Sequence, residues 1–469
     1  MARLPPELID LIFGYLLLDL DGTPNHEFTG VLNLERSTTL LKFGVACRAF
    51  YALALPHVYH KFGCDHRGPI TPLRVLECFM EQPKQALLIH EFHTEMVENL
   101  PREQHQPADR WHPYTRPGPS LQLCTSLISL DIPDKLKQHL YDGLRDGYDD
   151  AETAMLLCLC ENLRIWKTHT GDMPPQSLTH SSYDDEEDFK EFKDSLPNKV
   201  IRGARSPGSR LLQQLFEVHV QFNSPEDPDP YYQTFENVYD ILMLPSLRRL
   251  TLRRFALWHD FRSNPAVQST IEYLCLEESW LDASGLVTLL KTCPRLKALS
   301  IHRKDLAVCR PETIYWHPIT HSGIGDVLRQ DGTNLTMFEW DYDDPGHLQQ
   351  IGSLASLTSL QTLTIRHGAL IIEFFVKMFD THLKNILPTS LETLNVIMSH
   401  QPNNHQSLFI SQLPQLMEDH KFERLSKIEL RGGHFAFNAA EITGWKLSLS
   451  WTRTTSLFDD AQCTVLLRE

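Results

Sequence analysis

The chain has 469 residues, more than one hydrophobic core usually organises, so several units or one extended array are expected. At 42% hydrophobic and 22% charged residues, the composition excludes collagen-like and wholly disordered chains. Against 44 basic side chains stand 60 acidic ones, a formal charge of −16, which disfavours a nucleic-acid backbone or an anionic membrane as main partner.

The opening segment Leu4-Pro5-Pro6-Glu7-Leu8-Ile9-Asp10-Leu11-Ile12-Phe13-Gly14-Tyr15-Leu16 predicts a short helix. Proline suits the first helical position, whose N–H has no intrahelical acceptor, and Glu7 and Asp10 complement the positive end of the dipole. Leu8, Ile12 and Leu16 recur at i, i+4 and i+8 with Ile9 and Phe13 beside them, a wide apolar stripe that needs a packing partner. The apolar run Leu8 to Leu18 contains Asp10, is too short to span a bilayer and has no basic n-region or cleavage site. A soluble cytoplasmic or nuclear protein is therefore expected. A second helical stretch runs from about Ser37 to Ala54 and closes on Leu55-Pro56-His57-Val58-Tyr59-His60-Lys61-Phe62. So small a helical set buries little by itself and is more stable docked on a partner or on the following domain.

These residues carry a family resemblance. Leu4-Pro5-x-Glu7-Leu8-Ile9-x-x-Ile12-Phe13-x-Tyr15-Leu16 resembles the opening of the F-box, and Val45-Ala46-Cys47-Arg48-Ala49-Phe50 resembles its second half. The Leu55-Pro56-His57-Val58-Tyr59 tail is similar to that of fungal F-box proteins. Asp19 to Thr39 separate the halves where the family has a short turn, and a loop insertion is thermodynamically tolerable. The resemblance implies an F-box-like helical module over 1–63 with an inserted loop at about 19–39. It also implies that Leu4, Pro5, Leu8, Ile9, Ile12, Leu16, Val45 and Phe50 dock on a Skp-family adaptor and, through it, a cullin. The same residues also read as an N-terminal helical cap on the domain that follows.

Gly14 to Thr23 matches a second pattern, the DxDGT opening of haloacid-dehalogenase-like phosphatases, in which Asp19 would attack phosphate and Asp21 serve as acid/base beside Mg²⁺. That family needs a doubly wound parallel sheet and a downstream acidic pair. Gly325-Asp326 with Asp331 is a feeble candidate for the pair, and the apolar run reads better as the end of the helix.

The remainder is repetitive. Leu-x-x-Leu-x-Leu recurs from Leu247, Ile271, Leu296, Leu335, Leu360, Leu391 and Leu425, at spacings of 24, 25, 39, 25, 31 and 34 residues. Weaker copies start at Leu127, Leu163 and Leu215. Helical stretches such as Ser284 to Thr292 and Phe374 to Leu387 lie between copies. One strand plus one helix cannot bury its own apolar face, so stacking is compulsory. The period is that of leucine-rich repeats, and the expected fold is α/β, an irregular solenoid over 64–440 with helices on the convex side of a curved parallel sheet. An acidic loop at about 179–195 and a proline- and histidine-rich loop from Gln104 to Ser120 interrupt it, and 441–469 form a cap or a tail.

Period-2 alternation turns the leucines of each strand inward and the intervening residues onto the concave surface. That assigns Arg249, Arg253, Tyr273, Glu277, His302, Glu339, Asp341, Arg366, Asn395 and Arg431 to a target-binding face, together with Thr251, Cys275, Ala298, Ser300, Thr364 and Glu429. Mixed charge and small polar residues suit a protein or peptide better than a phosphate backbone; the bland alternative is a merely solvated face.

Ten scattered cysteines, with Cys158 and Cys160 in an apolar run, predict reduced, buried thiols. His57-x-x-His60 and His90-x-x-His93 lack further ligands at metal spacing and read as structural or surface histidines. Walker, GxSxG, HExxH and Rossmann fingerprints are missing. No catalytic residue, metal or cofactor is expected. The resemblance implies a substrate receptor of an SCF-type (cullin-RING) ubiquitin ligase. The alternative is a repeat scaffold outside any ligase.

Overall fold

The computed structural model describes residues 51, 55–56, 58–65, 71–96, 127–128, 130–146, 149–170, 195–206, 208–222, 233–257, 268–303, 319–342, 350–370, 382–398, 404–432, 445–453 and 460–468. The residues assigned to adaptor binding (Leu4, Pro5, Leu8, Ile9, Ile12, Leu16, Val45 and Phe50) lie outside these, as do Asp19, Asp21, the Gln104 to Ser120 loop and the acidic run at 179–194. The chain divides into two compact units, Met1–Pro225 with Glu236–Leu247, and Glu226–Phe235 with Arg248–Glu469.

In the first unit, strands β1 (Lys61–Asp65), β2 (Glu91–Met96), β3 (Ile165–Thr170) and β4 (Glu217–Phe222) are parallel and adjacent in chain order. Helices α1 (Pro72–Glu81), α2 (Pro83–Ala86), α3 (Asp134–Asp146), α4 (Asp149–Leu159) and α5 (Leu196–Ala204) separate them, and α6 (Phe235–Leu242) follows. Starts are written into the sequence. Thr71 caps α1 and Ser195 caps α5, each accepting a backbone N–H from three residues on, with proline in the first turn. Phe62, Phe92, Trp166 and Val218 stand opposite one another across the four strands, and Phe92, Trp166 and Val218 are fully buried. Cys158 and Cys160 are free, buried thiols, and burial pushes the first up to about 12.

Three expectations change here. The copy from Leu127 to Ile132 is a helical turn and bends, not a strand. β1 and β2 went unread because their inward positions hold aromatic, cysteine and threonine side chains instead of leucine. Because β1 begins at Lys61, the sheet starts inside the span assigned to the helical module.

In the second unit, β6 (Arg249–Arg253), β8 (Tyr273–Glu277), β10 (Ala298–Arg303), β11 (Met337–Tyr342), β12 (Thr362–Arg366), β13 (Thr393–Ile397) and β14 (Lys427–Arg431) form a parallel sheet in chain order. Short strands β5 (Gln233–Thr234), β7 (Phe255–Leu257) and β9 (Trp280–Leu281) make a small second sheet. Helices α7 (Ala283–Thr292) and α8 (His321–Asp331) are capped by Asp282 and Thr320; α9 (His367–Leu370), α10 (Leu383–Ile386) and α11 (Asn404–Glu418) follow.

The repeat motif explains the register. The first apolar residue of each of these seven copies is buried, and all but Ile271 close a tight turn, as in Leu296 N–H to Cys293 O at 3.0 Å and Leu360 N–H to Leu357 O at 3.0 Å. The residue after it bonds to its counterpart one repeat earlier. This backbone ladder runs from Arg248 through Glu272, Lys297, Thr336, Gln361 and Glu392 to Ser426, with N···O distances of 2.8–2.9 Å. The alternating positions then fall in register. Leu250, Leu274, Leu299, Phe338, Leu363, Leu394 and Ile428 form one buried row, and Leu252, Leu276, Ile301, Trp340, Ile365, Val396 and Leu430 form the next.

Within 441–469, β15 (Trp445–Arg453) and β16 (Asp460–Arg468) pair antiparallel, and β16 pairs antiparallel with β14. Among the described residues, the strand order within each unit has no switch point of the doubly wound kind. Asp326 and Asp331, weighed as a phosphatase acidic pair, lie on α8, and Asp326 is an exposed partner of Arg329 on the same helix. Gly325 is there for close approach: a Cβ would stand 1.8 Å from the Ile351 carbonyl oxygen.

Candidate functional site

The positions between the buried rows lie on the other face of the second unit's sheet, in three rows that run across seven strands. The first holds Arg249, Tyr273, Ala298, Met337, Thr362, Thr393 and Lys427. Across the middle run Thr251, Cys275, Ser300, Glu339, Thr364, Asn395 and Glu429. Arg253, Glu277, His302, Asp341, Arg366, Ile397 and Arg431 make the third. Every residue assigned from sequence to the target-binding face is thus on one face.

They are not equally presented. Tyr273 is 41% exposed, whereas Asn395 is 8% exposed, on the assigned face yet withdrawn from solvent. Thr364 and Glu429, in the same middle row, are buried in the same way. The physical reason is shadowing: a middle-row side chain has longer neighbours on both sides of its own strand and on both adjacent strands. Asn395 Nδ2 donates to Thr364 Oγ1 at 3.0 Å, and Glu429 is gripped by Lys427 at 2.6 Å and Arg431 at 2.7 Å.

Much of the charge is paired within the face. Arg366 meets Asp341 at 2.7 Å. Arg253 and Arg254 both hold Glu278, at 2.7 and 3.0 Å. Burial pushes the Glu278 carboxyl up, but the two guanidinium groups outweigh it and hold it below its ordinary value. The Arg249 guanidinium lies over the Tyr273 ring, 5.0 Å from its centre. Glu339 accepts from Ser300 Oγ at 3.1 Å and meets His302 Nε2 at 3.5 Å. Beside it the Cys275 thiol is pushed up to about 12 by burial and by the charges of Glu277 and Glu339.

Sequence reasoning missed Arg254 and Glu278, which follow β6 and β8 with φ of 60° and 49°. A left-handed backbone at arginine and glutamate leaves no compositional mark. It also missed the matching face of the first unit. There Glu91 Oε1 meets His93 Nε2 at 2.6 Å, Lys167 Nζ at 3.0 Å and Lys61 Nζ at 3.4 Å. Burial alone would raise the Glu91 carboxyl; the His93 hydrogen bond and the charges of His93, Lys167 and Lys61 hold it well below the usual range. Glu217 and His219 repeat the contact at 2.6 Å on β4, so Glu-x-His at two strands was the legible signal. Of the histidines read at i, i+3, His60 lies beside His90, ring centres 4.9 Å apart at a tilt, and His57 lies outside the described residues.

Among the described residues, no group of three His, Cys, Asp or Glu side chains is placed to hold a metal, and no helix is long and apolar enough to cross a membrane. The fold and this face define an α/β protein built from parallel strand–helix units, with a mixed-charge sheet face. No protein-family model matches the chain, and no curated protein matches it significantly.

Proposed function

We propose that the protein is the substrate-recognition subunit of an SCF-type ubiquitin ligase, docking on a Skp-family adaptor through Leu4 to Phe50 and receiving a target protein on the mixed-charge face of the second unit. The observation that carries the target-binding half is the three-row face, where polar and charged side chains lie in register over seven strands. The adaptor half rests on the F-box resemblance of Leu4-Pro5-x-Glu7-Leu8-Ile9 and Val45-Ala46-Cys47-Arg48-Ala49-Phe50. On this reading the protein does no chemistry itself. Its leucine-rich strands hold a recognition surface, and ubiquitin transfer belongs to other subunits.

The apolar stripe would be the core of the adaptor interface, where removing one anchor costs about 2 kcal/mol or more. Leu8→Asp with Ile12→Asp is therefore expected to abolish co-purification with a co-expressed Skp-family adaptor while the circular dichroism of the chain stays unchanged. Adaptor binding at undiminished affinity would remove the F-box assignment and leave a repeat scaffold outside any ligase.

A further inference from the structure

The second unit's sheet ends on an unguarded strand. Among the described residues β15 lies last in the strand order and pairs with β16 alone, so its other side presents a backbone edge with no ladder partner. It is nine residues long, against five or six in the seven parallel strands. Sheet edges are ordinarily blunted by shortness, proline, bulges or charge. Trp445-Lys446-Leu447-Ser448-Leu449-Ser450-Trp451-Thr452-Arg453 has no proline or glycine, and its two charges stand near its ends. All nine positions pair one to one with β16, so no bulge turns the edge away.

The core rows also run out to this last strand. Ile428, Leu466 and Leu447 are in register across β14, β16 and β15, as are Leu430, Thr464 and Leu449. Ile428, Leu430 and Leu466 are buried. Alternation puts Trp445 and Trp451 at positions on the same face as Leu447 and Leu449, with Lys446, Ser448, Ser450 and Thr452 on the opposite one. A repeat array that stops shields its last apolar row with a polar cap. Here the row positions at the edge are still leucine and tryptophan.

The strand complements itself. When two copies of β15 run antiparallel about a two-fold axis through Leu449, Leu449 meets Leu449, Ser448 meets Ser450, Leu447 meets Trp451, Lys446 meets Thr452 and Trp445 meets Arg453. Only this register pairs all nine residues. Apolar positions meet apolar ones and hydroxyls meet hydroxyls. Neither cation faces a like charge, and each arginine stands opposite an electron-rich indole, so the two edges are electrostatically complementary.

We infer that β15 is a dimerisation edge: two copies of this chain join their sheets through antiparallel β15–β15 pairing centred on Leu449. An isologous contact of this kind closes after two copies. It uses none of the residues assigned to adaptor or target binding, so it stands or falls independently of the ligase reading.

The test is size-exclusion chromatography with light scattering on the full-length chain at micromolar concentrations. Wild type should run at twice the chain mass. Ser448→Asp with Ser450→Asp sets like charges opposite each other across the axis and should give a monomer. Ser448→Lys with Ser450→Lys should be monomeric alone for the same reason. Mixing the two variants should restore a dimer containing one copy of each, because every introduced aspartate then meets an introduced lysine; that rescue also shows that both variants are folded at β15. A monomeric wild type, a dimer that either variant keeps by itself, or variants that fail to re-pair on mixing would overturn the proposal.

Discussion

Glu91 and His93 show how single side chains make this fold sensitive to acid. Burial pushes the His93 imidazole below its ordinary value, with Lys167 and Lys61 acting the same way and Glu91 opposing them. Glu91 itself is held low. For both groups the folded state binds fewer protons than the unfolded chain, so both favour folding at neutral pH and lose that contribution on acidification. His93 acts as pH falls below the ordinary imidazole value of about 6.5, and Glu91 below the ordinary carboxylate value of about 4.5. Urea midpoints should therefore decline from pH 7 to pH 5.5 less steeply in His93→Gln, and below pH 4.5 less steeply in Glu91→Gln. Equal slopes in wild type and both variants would contradict the assignment. A second residue-scale prediction concerns Asp240, a buried carboxylate that accepts from Arg202 Nε at 3.0 Å, from Arg205, and from Asn198 Nδ2 at 3.4 Å. Arg202 is half exposed, so water softens the loss. Asp240→Asn should cost about 2 kcal/mol in a denaturant titration. None of this cluster was legible: the partners come from helices some forty residues apart, and no local pattern announces them.

At the scale of the element, Leu-x-x-Leu-x-Leu was readable because each of its positions has a separate structural duty. The first leucine closes the turn, its successor extends the ladder between repeats, and the later two fill the buried rows. Where duties are met by other chemistry, as by Phe92 and Thr94 in β2, the strand was missed. Leu127 failed in the opposite sense: its copy has the spacing, but Pro133 follows and accepts the backbone N–H groups of Leu136 and Lys137 to open α3. Glycine and tryptophan positions give measurable consequences. Gly325→Ala forces a methyl against the Ile351 carbonyl and should destabilise the protein by about 3 kcal/mol. Trp340 is fully buried, donates from Nε1 to His321 Nδ1 at 2.9 Å and stacks on Tyr342. Trp340→Ala should cost about 4 kcal/mol. Denaturant midpoints of the two variants check both figures.

Seen as a whole molecule, the chain assigns its work by composition. Leucine-rich rows build the sheet, the residues between them face outward, and the hairpin of β15 and β16 ends the parallel run with a change of direction. The face was legible to the level of which residues share it, because alternation is a geometric rule. Which of them reach solvent was not, since shadowing of Asn395 and Glu429 depends on neighbours set by register between strands far apart in the chain. The proposed adaptor-binding stripe near Leu8 and Ile12 and the proposed target-binding face of the second unit lie in separate parts of the sequence and are separable. Affinity purification of the full chain with quantitative mass spectrometry tests that division most directly. Skp-family adaptor, cullin and a target protein should be recovered together by wild type. Leu8→Asp with Ile12→Asp should lose adaptor and cullin and keep the target, and Glu277→Gln with Glu339→Gln should do the reverse. Absence of adaptor and cullin from the wild-type sample, or their retention by the Leu8→Asp, Ile12→Asp variant, would contradict it.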